Sequence, residues 1–261
     1  MDYIVISSRS NDRVKYINKL MSSSSLRRAD LLFVLEGARL CSDAVRSGYE
    51  VAELYLTEKA GEKYADLLTD TLEACNKVYI ITEEVADKLS DTVSSQGVFA
   101  LVRIKHNSEL SLKAGSKYVA LEDIQNPQNL GAVARTAEAF GIAALIVSGG
   151  CDIYNPKALR ASMGSLMRIP VYQTENLGEV IAQAKARGLL TLSTVPYSSA
   201  EDITALDYSG GALCVIGNEG NGVSGEIQSL TDVRATIRMN GEAESLNASA
   251  AATIAMWEMV R

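Results

Sequence analysis

A chain of 261 residues with 47% hydrophobic and 22% charged side chains has ordinary globular usage and enough length for one large domain or two modest ones. Its net charge of −7 argues against a generally adhesive nucleic-acid binder, and no run approaches the 18 apolar residues of a spanning helix. The start MDYIVISSRSND lacks the apolar segment of a secretion signal, and Cys41, Cys75, Cys151 and Cys214 are scattered without a C-x-x-C pair. The expectation is a soluble, cytoplasmic protein with reduced thiols and no membrane association. The single histidine, His106, sits in a polar stretch, which excludes a histidine-based triad in the C-terminal part and argues for no metal site.

Charge is unevenly spread. Arg9, Arg13, Lys15, Lys19, Arg27 and Arg28 face only Asp2 and Asp12 in residues 1–28, a net of +4 that leaves −11 for the rest. Such a basic arm on an acidic body fits either a local grip on a phosphate backbone or a solvated helix face.

In chain order, Asn11 caps a helix with Val14, Ile17, Leu20 and Met21 on one side. Ser22 to Ser25 reads as a low-complexity break. Strands and helices then alternate: strand LLFVLEG into a helix over Ala38 to Val45, strand VAELYLT, a helix over 58–75, strand KVYII, a short helix over Glu83 to Leu89, and strand GVFALVRI. Lys105 to Lys117 is polar and aperiodic, and the domain boundary is placed there: residues 1–105, a linker over 106–116, and 117–261.

A second alternation follows. Strand YVALEDI leads to a helix over Gln128 to Phe140, ended by Gly141. Strand IAALIVSGG, a helix over Pro156 to Met163, strand RIPVY, a helix over Glu175 to Arg187 and strand LLTLST come next. A strand at Ala212 to Ile216 enters a glycine-rich loop, and another at Ala235 to Met239 enters a loop ending in Glu244-Ser245-Leu246-Asn247. A helix of small residues closes the chain, with Ala248, Ala251, Ala252 and Ala255 suited to close packing on the sheet. This alternation predicts a parallel α/β sheet covered on both faces, with a ligand crevice where strand ends deliver polar loops.

Gly220-Asn221-Gly222-Val223-Ser224-Gly225 fits G-x-G-x-x-G literally, with Glu242 about 20 residues on. A nicotinamide-binding domain nevertheless fits badly. That fingerprint opens a domain, only one strand and one helix remain here, and Glu219 would set a carboxylate against a pyrophosphate. Taken singly, these glycines are turn punctuation, Asn129 caps a helix, Asn247 or Ser245 caps another, and Arg135 pairs with Glu138 one turn on.

Three stretches together resemble the SpoU (TrmH-type) family of RNA ribose 2′-O-methyltransferases, within the SPOUT superfamily. The first is N-x-G-x-x-x-R at Asn129-Leu130-Gly131-Ala132-Val133-Ala134-Arg135. The second is G-x-E-G-x-G at Gly217-Asn218-Glu219-Gly220-Asn221-Gly222. The third is I-x-M at Ile237-Arg238-Met239 with S-L-N-x-S at Ser245-Leu246-Asn247-Ala248-Ser249. More loosely, Phe33-Val34-Leu35-Glu36-Gly37-Ala38-Arg39 and Ser95-Gln96-Gly97-Val98 resemble the ribosomal-protein-like substrate-binding domain of rRNA-modifying members. Asn126 departs from the aspartate often found before the proline, and either residue serves a turn.

The resemblance implies a trefoil-knotted, parallel-sheet SPOUT methyltransferase domain behind a small α/β substrate-binding domain, acting as a homodimer. It implies transfer of the S-adenosylmethionine methyl group to a ribose 2′-hydroxyl in RNA, most naturally 23S rRNA. The alternatives are the same reaction on tRNA, or a non-catalytic RNA-binding or ribosome-assembly factor on this fold. It points to Arg135 as the residue acting on the hydroxyl, as base or as phosphate clamp, with Asn129, Glu219, Ser245 and Asn247 orienting it. Loops around Gly217, Ile237 and Leu246 would hold the cofactor.

Overall fold

The computed structural model describes residues 4–75, 77–92, 94–105, 109–196 and 199–261. Asp2 and His106, both weighed above, lie outside them. By contacts the chain divides into two units, Met1–His106 with Tyr154–Met167, and Asn107–Ile153 with Arg168–Arg261.

The first unit runs β1 (Ile4–Ile6), α1 (Asp12–Ser22), α2 (Ser24–Asp30), β2 (Leu32–Glu36), α3 (Ala38–Arg46), β3 (Val51–Leu56), α4 (Glu58–Lys63), α5 (Ala65–Ala74), β4 (Val78–Ile81), α6 (Glu83–Leu89) and β5 (Val98–Arg103). Its sheet has the order β1-β4-β3-β5-β2. The pairings make β1, β2, β3 and β4 parallel to one another and β5 antiparallel to its neighbours. Since each parallel strand runs into a helix, the N-termini of α1, α3, α4 and α6 gather at one sheet edge.

Several local expectations change here. The break read over Ser22 to Ser25 narrows to Ser23, between α1 and α2. Ser23, in extended conformation, caps α2 by accepting from Leu26 N at 3.2 Å. The helix expected over 58–75 divides at Tyr64 (φ −112°, ψ 18°), which lets α5 lay Leu68 and Thr71 against α3. β1 is too short for an alternating pattern to register in the sequence. Between Ile4 and Arg28 the basic arm is folded and partly neutralised. Arg27 is 2% exposed and donates to the carbonyls of Leu20 and Met21, Arg13 chelates Glu53 at 2.7 and 2.8 Å, and Lys15 pairs with Asp12 at 2.9 Å. That outcome favours a structural helix face over a free phosphate-gripping arm.

The second unit contains β6 (Lys117–Glu122), α7 (Pro127–Ala139) and β7 (Ala144–Ser148). The chain then leaves it for α8 (Pro156–Ala161) and most of α9 (Ser165–Arg168), which group with the first unit. It returns with β8 (Val171–Thr174), α10 (Leu177–Ala186), β9 (Leu190–Thr194), β10 (Glu201–Asp202), β11 (Ala212–Ile216), α11 (Gly225–Leu230), β12 (Val233–Thr236) and α12 (Ala248–Val260). The sheet order is β10-β12-β9-β11-β6-β7-β8, and every pair is parallel. All five residues of β11 and the four central residues of β6 are buried, as expected of strands covered on both faces.

Here too the boundaries shift. The last strand spans Val233–Thr236, not Ala235 to Met239, so Ile237 and Met239 belong to the loop beyond it. β8 begins after Pro170, whose ring nitrogen has no proton to donate to a ladder. Leu112, inside the stretch read as an aperiodic linker, is 6% exposed and packs with Tyr118, Ala144 and Leu189. On α12, Ala252 and Ala255 are fully buried and Ala248 nearly so, which brings that helix close against β11 and α7.

Candidate active site

The carboxyl ends of β6, β9, β11 and β12 deliver four loops to one place, the position at which open parallel sheets build ligand crevices. Local backbone chemistry shapes each loop. After β6, Asp123 adopts a left-handed conformation (φ 54°), and Asn126 caps α7 by accepting from Gln128 N at 2.9 Å. Asn126 takes the capping role expected of Asn129, because Pro127 is preset for the first helical position and starts the helix earlier. Asn129 thereby falls one turn inside the helix, 5% exposed, with its amide free for other work.

After β11 the chain folds back on itself. A Cβ on Gly217 would lie 2.1 Å from both the Gly222 carbonyl carbon and the Val223 nitrogen, so only glycine permits this closure. Asn218 organises the loop. Its Oδ1 accepts from Gly220 N and Asn221 N at 2.9 and 3.0 Å, and its Nδ2 donates to the Asp123 carbonyl at 2.9 Å.

Glu219 is the hub. One carboxylate oxygen accepts from Asn126 N at 3.0 Å and Asn129 Nδ2 at 2.8 Å, and the other from Gln125 N at 3.0 Å. Asn129 Oδ1 in turn accepts from Asn247 Nδ2 at 3.1 Å. Asn247 Oδ1 caps α12 through Ser249 N at 2.9 Å and also accepts from Ser249 Oγ at 2.7 Å. One continuous chain of hydrogen bonds therefore joins all three sequence motifs, over separations of 90 and 118 residues. Burial pushes the Glu219 carboxyl upward, but the donors from Gln125, Asn129 and Asn126 outweigh it and hold it below the usual carboxylate range. It is an ionised tie between loops, not an acid or base in waiting.

Beside this chain lies a cavity of about 300 Å³. Thr194, Val195 and Pro196 form one wall, Ile216 to Val223 another, and Ile237, Met239 and Glu244 to Leu246 a third. Gly217, Ile237 and Leu246, the three positions expected to hold a cofactor, all line it, as do Glu219 and Ser245. Ser245 is exposed and stands outside the asparagine chain. Arg135 is exposed on α7 and does not line the cavity. Its expected local partner Glu138 is instead engaged by Arg168, at 2.5 and 2.9 Å, and Arg135 has no hydrogen-bond partner among the described residues.

The sequence reading overlooked Asn218, the Gln125 and Asn126 amides, and the Thr194–Pro196 wall. Asn218 lay within a motif and was legible as a turn former. The amides carry no side-chain signal, and the wall depends on β9 lying between β11 and β12. Among the described residues no group of histidine, cysteine or carboxylate side chains forms a metal site, and no helix is long and apolar enough to cross a membrane.

Comparison with known proteins agrees with this geometry. Residues 116–257, more than half the chain, match the SpoU rRNA Methylase family, and residues 11–100 match the MRM3-like substrate binding domain. The chain is 29% identical over 255 residues to the 23S rRNA (guanosine(2553)-2'-O)-methyltransferase RlmP of Bacillus subtilis, covering 97% of this chain and 98% of that one. It is 30% identical over 259 residues to the 23S rRNA (uridine(2479)-2'-O)-methyltransferase of Streptomyces viridochromogenes, covering 96% and 90%. The solved structure of an AdoMet-bound rRNA methyltransferase from Sinorhizobium meliloti superposes with a TM-score of 0.85 at 27% identity, over 98% of this chain and 96% of that one. With its motifs tied together at the ends of a parallel sheet and the family match spanning that whole sheet, the chain belongs to the SpoU rRNA methylase family.

Proposed function

We propose that this protein transfers the methyl group of S-adenosylmethionine to a ribose 2′-hydroxyl of 23S ribosomal RNA. The observation that carries the reading is the Glu219–Asn129–Asn247 chain, which pins the three motif loops around a single cavity.

The cavity suits the cofactor. Val195, Ile216, Ile237 and Leu246 offer apolar walls for an adenine, and the folded-back loop from Gly217 to Gly222 offers backbone groups for polar ends. The cofactor, when bound, supplies a methyl group already activated on a sulfonium. What the protein must add is alignment and help for a poor nucleophile. A guanidinium offers donors and no acceptor, so Arg135 acts by clamping the neighbouring phosphate and stabilising the developing alkoxide, and another acceptor takes the proton. Asn129 and Asn247, locked by Glu219, hold the start of α7 and the start of α12 in fixed relation, and Ser245 lies at the cavity wall to orient the ribose.

The same reading carries the homodimer, the trefoil knot and the cytoplasmic location. Trp257 is 52% exposed on α12, beside Phe140 at the end of α7 with ring centroids 5.8 Å apart. An aromatic pair on the two helices that bear Arg135 and Asn247 suits coverage by a second copy. A separate domain over residues 11–100 favours a folded rRNA over tRNA.

The test is incubation with tritiated S-adenosylmethionine and unmodified 23S rRNA, followed by mapping of alkali-resistant ribose positions. One labelled position supports the reading. Label on tRNA alone replaces the substrate, and neither label nor cofactor binding favours a non-catalytic assembly factor.

A further inference from the structure

The cavity beside the Glu219–Asn129–Asn247 chain is one-sided in charge. Two carboxylates line it, Glu219 and Glu244, and among the described residues no lysine or arginine does. The rest of its lining is apolar, hydroxyl, amide or glycine. The loop after β12 helps to arrange this. Ile237 and Met239 line the cavity, while Arg238 between them pairs outside it, donating to Asp202 Oδ2 at 2.6 Å with its side chain 79% exposed.

The two carboxylates do different work. Glu219 meets donors from Gln125, Asn126 and Asn129, so its charge is taken up in tying loops together. The side chain of Glu244 has no hydrogen-bond or ion-pair partner among the described residues. Its loop is nevertheless anchored three residues on, where Asn247 donates to Asn129 at 3.1 Å. An unpaired charge at a cleft with apolar walls focuses its field on whatever occupies the cleft. Methyl transfer changes that occupant by one unit of charge. A sulfonium becomes a neutral thioether, while the ammonium and carboxylate at the amino-acid end stay as they were. Selectivity between two ligands is a difference of affinities, and a fixed negative charge favours the one that carries the extra positive charge.

We propose that Glu244 is a specificity-determining residue: its unpaired carboxylate raises the affinity of the cavity for S-adenosylmethionine relative to the product S-adenosylhomocysteine, and so favours exchange of product for cofactor between turnovers. The proposal rests on the methyltransferase reading.

The experiment is isothermal titration of the parent protein, Glu244→Gln, Glu244→Lys and Glu242→Gln with each of the two ligands, at low and at high KCl. In Glu244→Gln the Kd for S-adenosylmethionine should rise about fivefold, the scale of one charge acting across a solvent-open site, with the Kd for S-adenosylhomocysteine within about twofold of the parent. Glu244→Lys should move the ratio farther in the same direction. Glu242 is exposed in the same loop and does not line the cavity, so Glu242→Gln removes an equal charge and should leave the ratio unchanged. High salt should bring the parent's ratio toward that of Glu244→Gln. A ratio within about twofold of the parent in the Glu244 variants, an equal weakening of both ligands, or the same shift in Glu242→Gln overturns the proposal. Should one Glu244 variant fail to fold, the other decides it. A parent that binds both ligands with a ratio indifferent to Glu244 removes this proposal alone, whereas a parent that binds neither removes the methyltransferase reading and the proposal with it.

Discussion

Replacing Glu219 with glutamine tests the hub at nearly constant shape. The carboxylate meets three donors with two oxygens, Asn126 N and Asn129 Nδ2 on one and Gln125 N on the other. A glutamine best keeps its oxygen toward Asn126 and Asn129, which turns its own amide protons against the Gln125 N–H. One charge-assisted bond is lost outright, and the other two lose their charge assistance. Such bonds contribute about 1.5–3 kcal/mol, and because Glu219 is more than a third exposed, solvent reduces the net cost to about 1–2 kcal/mol. At about 2–4 °C per kcal/mol for a chain of this size, the Tm should fall by about 2–8 °C. Asn129 is 5% exposed, so water is poorly placed to replace a weakened partner, and kcat/KM should fall about tenfold as the Asn129–Asn247 pair loses its anchor. The pH dependence has a definite sign. The folded pKa of Glu219 lies below its unfolded value, so its stabilisation is present above about pH 4.3 and is lost as pH falls through the folded pKa. The Tm gap between parent and variant should therefore be constant from pH 6 to 8 in calorimetry and close below about pH 4. Equal Tm at pH 7 together with activity within twofold would refute the argument that Glu219 holds the site.

Other outcomes follow from the same geometry. Gly217→Ala forces the loop to open, because the added carbon would sit 2.1 Å from two backbone atoms of Gly222 and Val223. Isothermal titration should show at least tenfold weaker S-adenosylmethionine binding, about the 1–3 kcal/mol of an overpacked site. Arg135→Ala should keep cofactor affinity while single-turnover methylation falls about 10²–10³-fold, and near-normal turnover would remove Arg135 from the chemistry. Trp257→Glu should leave the far-ultraviolet spectrum intact and give monomers in sedimentation; a persistent dimer places the self-contact elsewhere. Burial pushes the Cys214 thiol up to about 12 and raises Cys41 as well, so iodoacetamide at pH 7.5 should label neither until the protein is unfolded, as read by mass spectrometry.

What the sequence determined by itself was whatever depends on short-range chemistry. The 3.6-residue spacing of Val14, Ile17 and Leu20 is enough to place α1, and those residues are its buried face. The run from Ala212 to Ile216 is apolar throughout because both of its faces are covered, so β11 was legible to the residue. The three motifs were legible because each is a local pattern of glycine, amide and charge. Tertiary structure decided what Asn129 does once Pro127 has given the α7 cap to Asn126: the Glu219 carboxylate, 90 residues away, takes its amide. It decided that Asn247 both caps α12 and bonds Asn129, that Glu138 goes to Arg168 and leaves Arg135 with no hydrogen-bond partner among the described residues, and that Arg27 is a buried strut. It also assigned Arg160 to Glu36, 124 residues away. Hydrogen-bond partners at such separations are set by strand order, and strand order comes from burying two sheets at once, which no local spacing records.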